Sequence, residues 1–290
     1  MKKVLILIQL FIFLFSFSQK INFISPELSK EKLYKYTIKK SGYLVSDKGS
    51  FYHKPAYTNQ DIEFSYLFND NKDKIFGWRI TAYEHLHDGE NKCNCEDYQY
   101  RNDIYVIVRT DSLGRYKTIN NLYQVKKNIL DNISQNEKIL TRKKIDILSR
   151  IKRNPEIIIS DIEKDIISFF RYYGIEEKAQ KATAFARRNS FPFSKSLPFI
   201  TKLSVENFDK ETDVILNNEF DRKSAQDDDY NYVRLDKNFD KEKYKLTVDE
   251  DYKFSKIDCK LLYASIKVRE ESNFHDNGIY NYQLSIIEKE

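Results

Sequence analysis

Large apolar side chains alternate with polar ones along much of residues 42–119. Ile62, Phe64, Tyr66 and Phe68 occupy every second position of one such stretch. Because successive side chains of a strand point to opposite faces, this pattern indicates a strand with one buried face. Similar stretches, separated by turn-forming residues such as 69–73, predict an antiparallel meander. Its further strands are expected at 74–87, 95–109 and 116–119.

A second pattern, with apolar residues three and four positions apart, is typical of amphipathic helices. It is clearest at Leu122, Val125, Ile129 and Ile133. A capping residue followed by proline and an acid favours the start of a helix, and a later glycine favours its end. Together these signals predict helices at about 26–40, 122–133, 141–151, 155–173 and 176–188.

Strand-like patterns return after a proline-marked connection at residues 190–198. Strands are expected at 200–205, 213–216, 230–235, 244–248, 261–268 and 279–287. The order of strands, helices and strands predicts an α+β fold. We expect antiparallel β meanders at the N- and C-terminal ends, with a central helical segment packed against the sheet.

These boundaries divide the chain into four segments. They are a signal peptide (1–18), an N-terminal helix with a β meander (19–120), a helical segment (121–189) and a C-terminal β-rich segment (199–290). We favour a single domain over residues 19–290. Two β-rich halves around a helical linker are the alternative.

The first residues have the three parts of a secretory signal peptide. Lys2 and Lys3 are followed by an uncharged apolar run at 4–17, and Ser16 and Ser18 supply the small residues of a cleavage site. The run is shorter than the roughly 20 residues that span the hydrocarbon of a bilayer. We therefore expect cleavage after Ser18 and a soluble, secreted or periplasmic protein with no transmembrane segment, and an uncleaved anchor is the alternative.

Composition narrows the class of protein. The 290 residues include 21 Tyr and 20 Phe, whereas disordered chains are poor in aromatic residues. Only 7 Gly and 5 Pro are present, which disfavours glycine-rich phosphate loops and proline-rich stalks. The formal net charge of +5 is a small surplus, and we expect no nucleic-acid partner.

Two histidines and two cysteines lie close together in the sequence, at His85, His87, Cys93 and Cys95. If residues 88–92 form a hairpin loop, position 87 lies opposite 93 and position 85 opposite 95. All four side chains would then project from one face of the hairpin. Imidazole and thiolate are ligands of zinc, and soft sulfur also suits copper. The sequence thus predicts a candidate zinc or copper site.

A disulfide is the competing use of these cysteines. Exported proteins commonly oxidise their thiols, and Cys93 and Cys95 are poorly placed to bridge each other along one strand. A disulfide from Cys93 or Cys95 to Cys259 is the natural pair, and it would leave one thiol over. A metal site and this disulfide are not expected together, and free or mispaired thiols are the remaining alternative.

Weaker chemical candidates are isolated in the sequence. His53 and His275 could act as general bases, but neither has a nucleophile nearby along the chain. The acidic run of Asp227, Asp228 and Asp229, with Asp221 upstream, lacks the spacing of an EF-hand calcium loop. A solvated acidic loop is the favoured interpretation.

These observations rank three functions. An exported, non-enzymatic binding or envelope-associated protein comes first, with its partner unknown. A metal-binding protein that uses the His-x-His and Cys-x-Cys hairpin is the alternative. A hydrolase is third, because catalytic residues that are distant in sequence can meet in the fold.

Overall fold

Antiparallel strand pairing organises the computed structural model of the protein. The structure describes residues 22–45, 51–87, 91–92, 101–136, 149, 151–178, 180–189, 196–226, 229–230, 240–271 and 279–289. The two longer helices are α1 (Leu122–Asn136) and α2 (Glu156–Phe170). The strands are β1 (Leu33–Val45), β2 (Phe51–Asp70), β3 (Asp73–His87), β4 (Asn91–Lys92), β5 (Ile104–Thr110), β6 (Tyr116–Ile119), β7 (Gln180–Asn189), β8 (Leu197–Asn207), β9 (Glu211–Phe220), β10 (Lys245–Ser255), β11 (Leu261–Glu271) and β12 (Ile279–Lys289).

The described strands form one sheet of 12 strands. Its order is β6–β5–β3–β2–β1–β12–β11–β10–β9–β8–β7, and β4 pairs with β3 outside this path. Strands of the N-terminal half and strands of the C-terminal half meet where β1 pairs with β12, from Lys35 opposite Lys289 to Val45 opposite Ile279. The first and last strands of the chain therefore lie at the centre of the sheet.

One face of the sheet, which we call the inner face, packs against helix α2. On β1 the inner-face residues Tyr34, Tyr36 and Ile38 are buried, whereas Lys35 and Lys39, on the opposite face, are exposed. Strand β5 alternates in the same way along its length. The two-residue alternation in the sequence thus separates a core face from a solvated face.

Phe169 of helix α2 packs among aromatic rings of the inner face. The ring centroid of Phe169 lies 4.8 Å from that of Phe64, 5.0 Å from that of Tyr36 and 5.3 Å from that of Trp78. Trp78 and Phe169 are fully buried. This cluster joins α2 to β1, β2 and β3 and forms the centre of the N-terminal half of the core.

The predicted α+β fold is wrong. The observed architecture is a large antiparallel sheet in which helices are a small minority, and strand β7 occupies the end of the segment assigned to helices. The helix predictions at 122–133 and 155–173 are confirmed by α1 and α2. The strands predicted at 74–87, 116–119, 261–268 and 279–287 are confirmed by β3, β6, β11 and β12.

The helix predicted at 26–40 is wrong, because β1 begins at Leu33. Leu33, Tyr34 and Ile38 satisfy a helical period, but Tyr34, Tyr36 and Ile38 equally satisfy the period of a strand. Pairing on both sides, with β2 and with β12, decides in favour of the strand. Long-range backbone hydrogen bonds therefore override the local signal.

The helix predicted at 176–188 is also wrong, because residues 180–189 form β7. The alanines at 182, 184 and 186 are good helix formers, and they favour the helix in the sequence. In the structure this segment is the edge strand of the sheet and pairs with β8, from Gln180 opposite Val205 to Asn189 opposite Leu197. Edge pairing supplies the backbone hydrogen bonds that a helix would have made internally.

The predicted signal peptide, residues 1–18, lies outside the described residues. Among the helices that the structure describes, none has the length and hydropathy that crossing a membrane requires.

Candidate functional site

Helix α2 brings two aspartates against strand β1. The Nζ atom of Lys40 lies 2.7 Å from Oδ1 of Asp165 and donates a hydrogen bond of 3.3 Å to Oδ1 of Asp161. The side chain of Asp165 is 0% exposed and that of Lys40 is 14% exposed. Because a buried charge is costly unless it is paired, these contacts hold the middle of α2 over β1.

Arg101 completes this group on the side of Asp161. Its guanidinium donates to Oδ2 of Asp161 and lies over the ring of Tyr83, 4.6 Å from the ring centroid. We call Lys40, Tyr83, Arg101, Asp161 and Asp165 the polar cluster. Its two cations and two carboxylates balance one another when all four are ionised.

Burial and charge shift the pKa values in the polar cluster. Burial raises the pKa of Asp165 to about 6, against the attraction of Lys40, and the negative charge of Asp161 adds to the rise. At Asp161 the same burial is outweighed by Lys40 and Arg101, which lower the pKa of that carboxyl. Burial would lower the pKa of Lys40, but the two aspartates raise it. Of these three groups, Asp165 is therefore the one whose pKa lies nearest to neutral pH.

Three buried side chains between α2 and the sheet carry polar atoms without hydrogen-bond partners. The atoms are Oδ2 of Asp165, both amide atoms of Gln60 and the indole nitrogen of Trp78. The other carboxylate oxygen, Oδ1 of Asp165, is paired with the ammonium of Lys40, which lies 2.7 Å away. Gln60 is 2% exposed and Trp78 is 0% exposed. Buried polar groups almost always have partners, so this concentration of unmet hydrogen bonds marks the region.

Strand register places Gln60 between the aromatic rings and the polar cluster. Gln60 lies opposite Ile38 on β1 and opposite Tyr83 on β3. Lys40 is the next inner-face residue after Ile38, so Gln60 and Lys40 are diagonal neighbours, about 7–8 Å apart. The amide of Gln60 and the carboxylate of Asp165 thus border the same part of the interface between α2 and the sheet.

A second ion pair holds the other end of α2. Nε of Arg171 donates to Oε2 of Glu250 on β10, and the hydroxyl of Tyr172 donates to the same oxygen at 2.7 Å. Nδ2 of Asn218 donates to Oε1 of Glu250 at 3.2 Å, and Thr201 donates to Asn218. The carboxylate of Glu250 is fully buried and well supplied with donors, which is the arrangement of a structural anchor.

The predicted metal hairpin falls largely outside the described residues. Cys93 and Cys95 lie outside them, and for His87 only the backbone is described. Strand β4 pairs His87 with Asn91 and Leu86 with Lys92, whereas the prediction placed position 87 opposite 93. His85 is half-buried and lies opposite Thr58, which lies opposite Lys40, so it belongs to the same inner-face row as the polar cluster.

Neither a metal site nor a disulfide is seen within the described part of the chain. No group of three or more His, Cys, Asp or Glu side chains there could hold a metal ion. Cys259 is a half-buried free thiol, and burial raises its pKa. The zinc or copper site at His85, His87, Cys93 and Cys95, and the rival disulfide to Cys259, remain predictions.

Among the other candidates, the structure describes the side chains of Asp221 and Asp229. For His53 only the backbone is described, in β2, and His275, Asp227 and Asp228 lie outside the described residues. Asp221 accepts hydrogen bonds from the hydroxyl of Ser224 and the backbone of Lys223. Asp229 accepts from Arg188 and from the backbone of Gln226. These two acidic side chains therefore hold local turns and one ion pair.

The polar cluster was not predicted from the sequence, although one signal for it was present. Asp165 interrupts the apolar stripe of α2 that includes Ile158, Ile162, Ile166 and Phe169. A carboxylate at a core position of an amphipathic helix predicts a buried partner, because burying it alone is too costly. Nothing local in the sequence identified that partner as Lys40.

Comparisons with known proteins add a likeness of fold. No protein-family model matches the chain. No curated protein matches its sequence. A solved structure named "Lipid-protein interactions in lipovitellin" is similar in fold, with a TM-score of 0.51, 11% sequence identity and coverage of 91% of this chain. The chain spans 26% of that lipovitellin chain, and at this identity the likeness concerns the fold alone.

Proposed function

We propose that this is an exported, non-enzymatic binding protein that holds an apolar, chain-bearing ligand of the lipid class between helix α2 and the inner face of the sheet. The observation that carries the proposal is the meeting of two surfaces beneath α2. One is the apolar and aromatic inner face around Trp78, and the other is the group of unpartnered polar atoms at Asp165 and Gln60. An amphiphilic molecule needs both kinds of surface in one place.

The dimensions of the sheet support a ligand of this kind. Eleven strands at about 4.8 Å spacing make a face roughly 50 Å wide, whereas one helix with its side chains is about 10 Å across. Helix α2 therefore covers only part of the inner face. Inner-face side chains away from α2, such as Val248 and Ile266, are buried as well, so a long apolar chain would have to enter this core. Burial there contributes about 25 cal/mol per Å² of apolar surface.

The charges of the polar cluster favour binding over catalysis. Lys40 and Arg101 are paired with Asp161 and Asp165, so the ionised groups neutralise one another. Groups whose charges are neutralised in this way suit a site that orients a ligand. The similar solved structure concerns lipid–protein interactions in lipovitellin, which supports the class of ligand, and the predicted signal peptide supports export.

The only tryptophan of the chain supplies the test. A neutral, mid-chain dibrominated octadecanoate methyl ester is titrated into the purified protein while Trp78 fluorescence is recorded. Because bromine quenches an indole only at close range, a chain bound beneath α2 should quench Trp78 saturably, at one molecule per protein. Water-soluble 3-bromopropanol should not quench it, because Trp78 is fully buried.

A relocated tryptophan is the matched control. Tyr105 on β5 lies opposite Arg79, on the outer face of the same sheet, and is 38% exposed. In a Trp78→Phe, Tyr105→Trp variant the brominated chain should leave the fluorescence unchanged, and bromopropanol should reduce it. Equal quenching of both tryptophans by the chain, or quenching of neither, would contradict the proposal.

A further inference from the structure

We propose that the polar end of the bound molecule is an uncharged hydroxyl group, which hydrogen-bonds to Asp165 and Gln60 beneath helix α2. This inference rests on the proposed function and names the chemistry of the ligand's head. Two observations support it. Some polar atoms of the site lack hydrogen-bond partners, and the charged groups of the site are already paired with one another.

The unpartnered atoms include acceptors and donors, so they fit a ligand group that both donates and accepts hydrogen bonds. Oδ2 of Asp165 and Oε1 of Gln60 can only accept, whereas Nε2 of Gln60 and Nε1 of Trp78 can only donate. A hydroxyl group offers one donor and two acceptor positions. A single hydroxyl can therefore donate to the carboxylate of Asp165 and accept from the amide of Gln60.

A charged head fits this site poorly. The cations Lys40 and Arg101 are already paired with Asp161 and Asp165, and the four charges balance. A carboxylate would meet the negative charge of Asp165, and an ammonium would meet Lys40 at the same carboxylate. Either would leave one net charge buried without a partner, which is costly in a region shielded from water.

The surroundings favour a head that is attached to an apolar chain. Gln60 shares the inner face with Ile62 and Phe64, and Asp165 shares its helical stripe with Ile162 and Phe169. All four of these neighbours are fully or almost fully buried. A hydroxyl at the end of an alkyl chain would place its donor at Asp165 and its chain along these side chains.

The test compares three polar head groups on alkyl chains of the same length. Dodecanol, dodecanoate and dodecylammonium each compete with the brominated ester for the wild-type protein at about pH 8, where all the relevant acids are ionised. Trp78 fluorescence recovers as the ester is displaced. Dodecanol should displace it at a concentration at least about tenfold lower than either charged competitor, as expected for one or two hydrogen bonds gained.

Substitutions test whether Gln60 and Asp165 are the residues that bind the hydroxyl group. Gln60→Leu and Asp165→Asn should each weaken dodecanol binding about tenfold and leave dodecanoate binding unweakened. Ser265→Ala is the matched control, because Ser265 also has a buried, unpartnered oxygen but lies at a different position of the sheet, on β11. It should not change the preference among heads.

The outcomes separate this inference from the function on which it rests. Failure of the brominated ester to quench wild-type Trp78 would overturn the proposed function. Quenching with equal displacement by the alcohol and the acid, or with an unchanged preference in Gln60→Leu, would overturn the hydroxyl head alone. In that case an ordered water molecule is the partner of Gln60 and Asp165.

Discussion

Lys40 of β1 and Asp165 of α2 form an ion pair inside the protein, with Nζ 2.7 Å from Oδ1 and the carboxylate fully buried. The pair joins the central strand of the sheet to a helix that lies far along the chain. Because Asp161 shares the same lysine, one ammonium group neutralises two carboxylates with the help of Arg101. The position of α2 over the sheet depends on this arrangement.

The Arg171–Glu250 pair extends the relationship across the sheet. Lys40 lies opposite Leu284, Leu284 opposite Ile266, and Ile266 opposite Glu250, so both anchors of α2 belong to one inner-face row. Three strand spacings, about 14 Å, separate them. Helix α2 is thus fixed by charge at two strands, and apolar residues of β11 and β12 lie between the two anchors.

Replacing Lys40 tests the first anchor. The Lys40→Met substitution should lower the free energy of unfolding by about 3 kcal/mol, because it leaves the buried carboxylate of Asp165 without its cation. A Lys40→Met, Asp165→Leu double variant should be more stable than Lys40→Met alone, since it removes the stranded charge. Urea denaturation measures both. A Lys40→Met protein within about 0.5 kcal/mol of wild type would show that the ion pair is not a structural anchor.

Replacing Glu250 tests the second anchor. Glu250→Leu should cost about 3–5 kcal/mol, because Arg171 would be left as a buried cation and Tyr172 would lose its acceptor. Glu250→Gln keeps one acceptor oxygen and should cost less. The same denaturation experiment ranks the two variants, and equal stability of both would argue against a charge-based role.

The pH dependence of stability follows from Asp165. Its pKa in the folded protein, about 6, is higher than the ordinary value of 3.8, so the folded state binds a proton more tightly than the unfolded state. Stability should therefore fall as the pH rises from about 4 to about 7, by up to about 3 kcal/mol from this group. The measurement is the difference in the free energy of unfolding between wild type and Asp165→Asn over that pH range. The titrations of other groups largely cancel in this difference. A flat difference would contradict the raised pKa.

Removing the unpartnered amide should stabilise the ligand-free protein. Gln60→Leu replaces a buried amide that makes no hydrogen bonds with an apolar side chain of similar size, and we expect a gain of about 1–2 kcal/mol. Such a gain would fit a group that is kept for function at a cost in stability. Thermal and urea unfolding give the value. A loss of stability would mean that the amide has a partner in solution.

Local patterns in the sequence predicted several elements of the fold well. The turn expected at 69–73 is present, and Asn71 there adopts a left-handed conformation with φ of 58°. Gly174 follows the end of α2 with φ of 79°, as a residue without a side chain allows. Hairpins and amphipathic helices depend on neighbouring residues, and for that reason sequence alone could identify them.

Features that depend on distant pairing could not be predicted in this way. Leu33, Tyr34 and Ile38 are compatible with a helix, and only the pairing of β1 with β12, at the other end of the chain, makes them a strand. The polar cluster has the same origin, because Lys40, Arg101 and Asp165 come from three separate segments. The metal hairpin and the rival disulfide to Cys259 stay predictions, because Cys93 and Cys95 lie outside the described residues.

The most direct test of lipid binding is chemical analysis of the protein as its own host makes it. The protein is purified from its native host without detergent and is extracted with organic solvent for mass spectrometry. We expect about one alkyl-chain molecule with a hydroxyl head per protein chain. An extract without such a molecule, from protein that also fails to bind the brominated ester, would contradict both proposals.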